Sequence, residues 1–158
     1  MTITTMAWLA MAAYAFHILE EYSFDWRNWA RGVLGLPVEW SDFFVTNAVV
    51  VALGIAQAAL ADTLPLAALS FAWLMLINAV FFHIMPFIVK KGRFSPGLIT
   101  AVVLFIPLSV FMIVKTLPIV GAGTAVAGFA VGAVTMAFPI VMLKLRSTPF
   151  FDQTSPSN

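Results

Sequence analysis

Apolar residues run in five blocks, roughly 4–22, 42–61, 65–89, 96–114 and 118–143, with polar residues gathered in the breaks between them. Each block is close to the ~20 residues that carry a helix across the hydrocarbon core of a bilayer, so each predicts a membrane-spanning helix. Pro65, Pro96 and Pro118 stand at three of the starts, where a first helical turn loses nothing by a missing N–H. The longest break, between 23 and 41, has a pattern of its own. Trp26, Trp29, Ala30 and Val33 fall at helical spacing opposite Asp25, Arg27, Asn28 and Arg31, which predicts an interfacial amphipathic helix over about 24–35. Its tryptophans, with Trp40, are expected at the headgroup level and its basic residues toward anionic lipid. An anchor and a lid over a lateral entry would use the same residues. The predicted fold class is therefore all-α: a polytopic membrane helical bundle of five transmembrane helices plus one interfacial helix, a single domain over 1–146, followed by a disordered cytoplasmic tail over 147–158.

Composition agrees with this pattern. The 158 residues are 62% hydrophobic and 9% charged, with a mean hydropathy of +1.01, which excludes a soluble domain. With no cysteine, thiolate metal sites, iron–sulfur clusters and disulfides are excluded, so any metal would need nitrogen or oxygen ligands. Met1 to Thr5 contain no basic residue and no small-residue cleavage site follows, so the first helix is expected to remain in the mature protein. Five crossings put Arg27, Arg31, Lys90, Lys91, Arg93, Lys144 and Arg146 on one side and Lys115 alone on the other, which orients the N-terminus outside and the C-terminus in the cytoplasm. In the last block Gly121, Gly128 and Gly132 belong to a small-residue stripe that permits close helix approach, either within the chain or to a second copy as a homodimer.

The polar residues inside the blocks are few, and each demands a reason. His17, Glu20 and Glu21 close the first block, with the carboxylates three and four residues after the imidazole, so all three can face one cavity. At 1.5 Å per residue His17 lies roughly 8 Å and His83, the second of the two histidines, roughly 10 Å from the same membrane face. Asn47, Asn78, Thr100 and Thr135 fall in nearby layers, and Pro86 frees the carbonyl of Phe82 beside His83. Glu39 and Asp42 sit at the mouth of the second span. They can complete the site or cap the helix, capping being the better reading for Asp42, with Ser41 as a rival cap. Asn47 reads as interhelical glue, and Asn78 as glue or as a ligand-facing group. The phenylalanines and methionines read as packing and lipid contact, and Lys90, Lys91 and Arg93 as an orientation signal that also suits an anionic headgroup. With no phosphate-cradling loop, nucleophile elbow or DNA-binding signature, nucleic acid is excluded as a partner.

The His17-Ile18-Leu19-Glu20-Glu21 pattern resembles the HXXEE family of small prokaryotic integral membrane proteins, and the Asn78-to-His83 segment and the Arg93-to-Gly97 turn are similar to that family's further elements. The resemblance implies a prokaryotic cytoplasmic membrane and a functional role for His17, Glu20, Glu21, Asn78 and His83, without saying which role.

Chemistry supplies three readings. In the first, His17, Glu20, Glu21 and His83 bind a divalent Fe, Mn or Zn ion in a membrane-embedded metalloenzyme, an oxidoreductase or hydrolase acting on an apolar small molecule or lipid that enters from the bilayer, with Asn78 and Asn47 nearby as binding residues. In the second, a protonated Glu20 or Glu21 and an imidazole catalyse metal-free isomerisation or cyclisation of a sterol or prenyl lipid. Its five-span plan and His–Glu face resemble the emopamil-binding sterol isomerases at the level of fold only. In the third, the same groups bind a small molecule or ion in a transporter.

Overall fold

The computed structural model describes residues 1–151, and among them the chain is helical with no strand. Helix α1 (Ile3–Ser23) is followed by a short α2 (Trp26–Trp29) that runs on through a π-helical turn, Ala30–Leu34. Then come α3 (Trp40–Leu60), α4 (Pro65–Val89) and α5 (Leu98–Arg146). Helices α1, α3, α4 and α5 are the four long and apolar enough to cross a membrane.

Helix α1 starts where the Thr2 hydroxyl accepts the amide of Thr5 at 3.1 Å. Its buried residues, Met6, Ala7, Ala10, Ala13, Tyr14, His17 and Glu21, fall three and four apart, so a single stripe of mostly small side chains carries His17 and Glu21 into the bundle. Helix α3 begins with a capping box in which Glu39 is the cap and Asp42 reaches back to the Glu39 amide at 2.8 Å. Asp42 thus acts three residues inside the cap, and neither it nor Ser41 occupies the cap position. Of the three prolines expected to open helices, only Pro65 does so. Pro96 precedes α5 in the turn before Leu98.

Helix α5 is 49 residues long, more than twice one crossing. The expected boundary before Pro118 is not where the backbone breaks. Pro118 lies inside the helix, and the one non-helical residue is Gly121, at φ 74 and ψ 167. A glycine reaches that conformation without the steric cost that a Cβ would bring. The two ends of α5 meet the same end of the bundle: Thr100 bonds to Glu20 near the end of α1, and Arg146 pairs with Asp42 at the start of α3. On the return, a Cβ on Gly128 would lie 2.9 Å from Leu69, and one on Gly132 would lie 2.6 Å from the Ser70 carbonyl oxygen, so these glycines let α5 press against α4 of the same chain.

Helix α2 turns its apolar face to the protein. Trp29 is only 7% exposed and packs with Ala30, Val33 and Val38 against Leu143 near the end of α5. Arg27 and Arg31 pair with Glu39, the cap of the next helix. Residues 147–151 form turns, and the remainder of the expected disordered tail lies outside the described residues.

Candidate metal centre

Three elements converge on His17: the end of α1, the distorted end of α4, and the Ser95-to-Thr100 turn that opens α5. Helix α4 widens into a π-helical turn over Asn78–Ile84, directly before Pro86, and His83 projects from it fully buried. A second π-helical turn, Ala101–Phe105, follows Thr100. Such widened turns shift the register of the side chains that follow and recur at functional sites. The two imidazoles meet edge to face with ring centroids 4.7 Å apart, and Phe105 closes the His17 side at 4.3 Å.

Each imidazole uses Nδ1 on a hydroxyl. His17 Nδ1 lies 2.8 Å from Thr100 Oγ1, and His83 Nδ1 lies 3.2 Å from Ser95 Oγ. Both Nε2 atoms are buried and have no hydrogen-bond partner among the described residues. They face the same oxygen: Glu21 Oε1 is 3.6 Å from His17 Nε2 and 3.6 Å from His83 Nε2. That separation is longer than the ~2.7–3.2 Å of a hydrogen bond. It is close to the roughly 3.4 Å between neighbouring ligand atoms that bonds of ~2.1 Å give around a tetrahedral ion. One ligand atom from each of His17, Glu21 and His83 lies within 4.8 Å of the others, and all three residues are buried.

The adjacent carboxylate has other partners. Glu20 accepts the backbone amides of Gly97 at 3.1 Å, Ile99 at 3.0 Å and Thr100 at 2.7 Å, and the Thr100 hydroxyl at 2.6 Å. It satisfies the orphan donors at the start of α5 and places a negative charge at the positive end of the helix. Glu20 therefore stands outside the group formed by His17, Glu21 and His83, and fixes the position of Thr100, which in turn holds His17.

Gly97 completes the enclosure. Its φ is +93, and a Cβ there would lie 2.6 Å from His83 Cε1, 2.7 Å from His17 Cε1 and 3.0 Å from Glu21 Cγ. Only a glycine lets the turn close over both rings. Sequence reasoning took the Arg93-to-Gly97 turn as a point of resemblance and Pro96 as a helix start, and gave Ser95, Pro96 and Gly97 no role in the site. The signal available was a Ser and a Thr flanking a glycine next to the start of an apolar block.

Asn47 lies away from the histidines. It accepts the Tyr14 hydroxyl at 3.0 Å and donates to the Phe43 carbonyl at 3.0 Å, joining α1 to α3 as glue. Asn78 is buried and its Oδ1 has no partner among the described residues. Both asparagines, with Glu21, line a cavity of about 590 Å³ walled mostly by apolar side chains of α3, α4 and the return half of α5, with Trp26, Leu36 and Val38 at its α2 end. Glu39 and Asp42, weighed as added ligands, are engaged by Arg27, Arg31 and Arg146.

The fold and the site define an all-helical protein built to lie in a membrane around a buried two-histidine, one-carboxylate cluster. The chain belongs to the HXXEE family: the model described as "protein of unknown function with HXXEE motif" matches residues 8–112, which take in His17, Glu21, His83 and the Ser95-to-Thr100 turn. No curated protein and no solved structure matches the chain.

Proposed function

We propose that this is a membrane-embedded metalloenzyme in which His17 Nε2, His83 Nε2 and Glu21 hold one divalent ion at the wall of an apolar cavity, and that its substrate is an apolar or lipid molecule drawn from the bilayer. The observation that carries the proposal is the pair of buried, unpartnered Nε2 atoms equidistant from one carboxylate oxygen. A buried polar atom without a partner is costly, and here a single bound cation would satisfy both. The Thr100 and Ser95 hydroxyls fix the ring orientations from the Nδ1 side, as outer partners of metal-bound histidines do. Two nitrogens and an oxygen suit Zn, Fe or Mn and leave a coordination position open. When bound, such an ion supplies Lewis acidity, an activated water or, for Fe or Mn, a redox couple. Glu21 touches both the imidazoles and the cavity, so the reacting atom of a substrate would meet the ion from that side. We read five crossings, with α5 crossing twice about Gly121, which returns the positive side, the cluster and the C-terminus to the cytoplasmic face.

The test is metal content, by elemental mass spectrometry, of detergent-purified protein kept from chelators and nickel resin. Wild type is expected to hold Fe, Mn or Zn near one per chain, and the His17→Ala/His83→Ala protein none. Equal, trace content in both would end the metal reading. Proton transfer without a metal is the second reading, favoured by the same double contact of Glu21 with rings and cavity, and it predicts metal-free protein in which Glu21→Gln still abolishes turnover.

A further inference from the structure

The hydroxyls on the two Nδ1 atoms differ in what else they touch, and that difference fixes where each imidazole carries its proton. A neutral imidazole has one N–H and one bare nitrogen, and a hydroxyl has a single hydrogen to give. Thr100 Oγ1 lies 2.6 Å from Glu20 Oε2, 3.2 Å from the Gly97 carbonyl oxygen and 2.8 Å from His17 Nδ1. The first two of those neighbours only accept, and the nearer is the Glu20 carboxylate, held in place by three backbone amides. The Thr100 hydrogen therefore goes to Glu20 in a charge-assisted bond, and the bond to His17 comes from Nδ1–H. Nε2 of His17 is left bare. Ser95 is the opposite case. Its hydroxyl is buried, and His83 Nδ1, at 3.2 Å, is the one acceptor it reaches among the described residues. A buried hydroxyl hydrogen without an acceptor is costly, so Ser95 donates to Nδ1 and His83 carries its proton on Nε2. That N–H faces Glu21 Oε1 at 3.6 Å, where a second bare nitrogen would add its lone pair to those of His17 and the carboxylate.

We propose that, before any metal is bound, His17 and His83 hold opposite tautomers, and that Glu20, acting through Thr100, is the positioning residue that sets the one on His17. His17 is then the preset ligand, with Nε2 already bare beside Glu21. His83 is the ligand that changes. To bind through Nε2 it gives up the proton there and takes one at Nδ1, with no net gain or loss, and the Ser95 hydrogen turns away so that the Ser95 oxygen accepts from Nδ1–H. This deepens the metal reading by giving the two histidines unequal duties, but only that last step rests on it, because the tautomers themselves need no metal. Free neutral histidine favours Nε2–H, so the form on His17 is one that the protein has to impose.

Solid-state NMR of chelator-stripped protein in lipid reads the proton positions directly, with one sample labelled with nitrogen-15 at histidine Nδ1 and another at Nε2, and with His17→Gln and His83→Gln assigning the signals. In wild type, Nδ1–H is expected to exceed Nε2–H on His17 by on the order of tenfold, and His83 should be the Nε2–H form. Thr100→Ser keeps the hydroxyl and should keep that ratio, whereas Thr100→Val should reverse it. Glu20→Gln should reduce it to about threefold, because a neutral acceptor is about half as strong as a charged one. None of these three should alter His83, and Ser95→Ala should leave His17 unaltered; a general loosening of the site would disturb both rings together. Zinc added to the stripped wild type should convert His83 to Nδ1–H and leave His17 as it was. A proton on Nε2 or on both nitrogens of His17, Nδ1–H surviving in Thr100→Val, a change in His17 on losing Ser95, or a change in His17 with zinc would overturn the proposal. Opposite tautomers in stripped protein that takes up no zinc would sink the metal centre while upholding the proton arrangement.

Discussion

Before Gly121, α5 is drawn into the bundle and buries side chains: Ala101, Phe105, Ser109, Met112, Ile113 and Thr116. After Gly121 its only buried residues are Gly128 and Gly132. The first half meets α1 and α4 through interdigitated side chains, and its opening turn carries the groups that hold both histidines. The return half presses Gly128 and Gly132 onto α4, with Phe129 edge to face on Trp73 and Met136 against the core, and lends other side chains to the cavity wall. Groups that share one cluster must be held within a few tenths of an ångström, and the first half supplies that; the return half buries few side chains and forms a wall of the cavity. One helix thus provides a fixed wall and an open one, divided by a single glycine.

The sharpest way to break that contrast is to remove the cluster's carboxylate. Glu21→Gln is expected to abolish metal retention, because an amide oxygen is a poor substitute for the only negative ligand, whereas Glu20→Gln should keep the metal and lose about 1.5–3 kcal/mol of stability with its charge-assisted amide bonds. Elemental analysis and thermal unfolding in detergent separate the two. If Glu20→Gln sheds the metal as fully as Glu21→Gln, the division of labour between the neighbouring carboxylates is wrong.

Two glycines compare the halves directly. Gly97→Ala puts a Cβ against both imidazoles at a positive φ, and should cost about 3 kcal/mol from backbone strain and overpacking and displace the metal with it. Gly132→Ala meets the Ser70 carbonyl and the Trp73 Cβ instead, and should cost about 2 kcal/mol while leaving metal content at the wild-type level. Loss of metal in Gly132→Ala would show that the return half is part of the rigid wall after all.

The smaller effect is on the outer partners. Thr100→Val and Ser95→Ala each remove the hydroxyl on an Nδ1 atom and should weaken metal affinity by roughly 10–100-fold without unfolding the protein. Competition with a chelator series reads this out, and affinities within twofold of wild type would deny these hydroxyls a role.

How much of this could be read from the sequence follows from the kind of signal each feature carries. Helices are encoded locally, by apolar runs of the right length, so the helical class was legible, while the fourth and fifth expected spans are one 49-residue helix. The shared depth of His17 and His83 followed from helix rise alone. The different fates of Glu20 and Glu21 were half legible: Ala7, Tyr14 and Glu21 are seven apart, as are Ala10 and His17, and this places Glu21 and His17 together on the stripe of small residues with Glu20 at its edge. What hides Glu20's role is that its partners are backbone amides nearly eighty residues away, which have no sequence signature. The turn at Gly121 was misplaced to Pro118 because both residues interrupt helices, and which one does so depends on where α4 offers a surface to pack against. The packing of α2 on Leu143 was equally invisible, since an amphipathic face fits a protein surface as well as it fits a bilayer.

The return half is tied by polar contacts at its last turn, where Arg146 meets Asp42 and bonds to the Pro37 carbonyl, next to the clasp that Arg27 and Arg31 form on Glu39. Arg27 Nε and Nη2 lie 2.7 and 2.5 Å from one Glu39 oxygen and Arg31 Nη1 lies 2.5 Å from the other. The hydrogen bond from Arg27, aided by the charges of both arginines, holds the Glu39 carboxyl below its ordinary value of 4.5. A depressed acid stabilises the fold fully above its ordinary value, and that contribution disappears as pH falls through the lowered one. Acidification should therefore loosen α2 from the start of α3, and with it the α2 face packed on Leu143, and leave the cluster's own enclosure, built on the first half, unchanged. Hydrogen exchange should show residues 26–38 opening as pH falls below 4.5, after correction for the intrinsic exchange rate, with Glu39→Gln already open at neutral pH and the Leu98–Phe105 amides protected in both. The effect should be small, because the clasp is exposed and screened by salt. Opening of Leu98–Phe105 in step with α2 would mean that the two halves of α5 move as one body, and the contrast between a fixed and an open wall would fail.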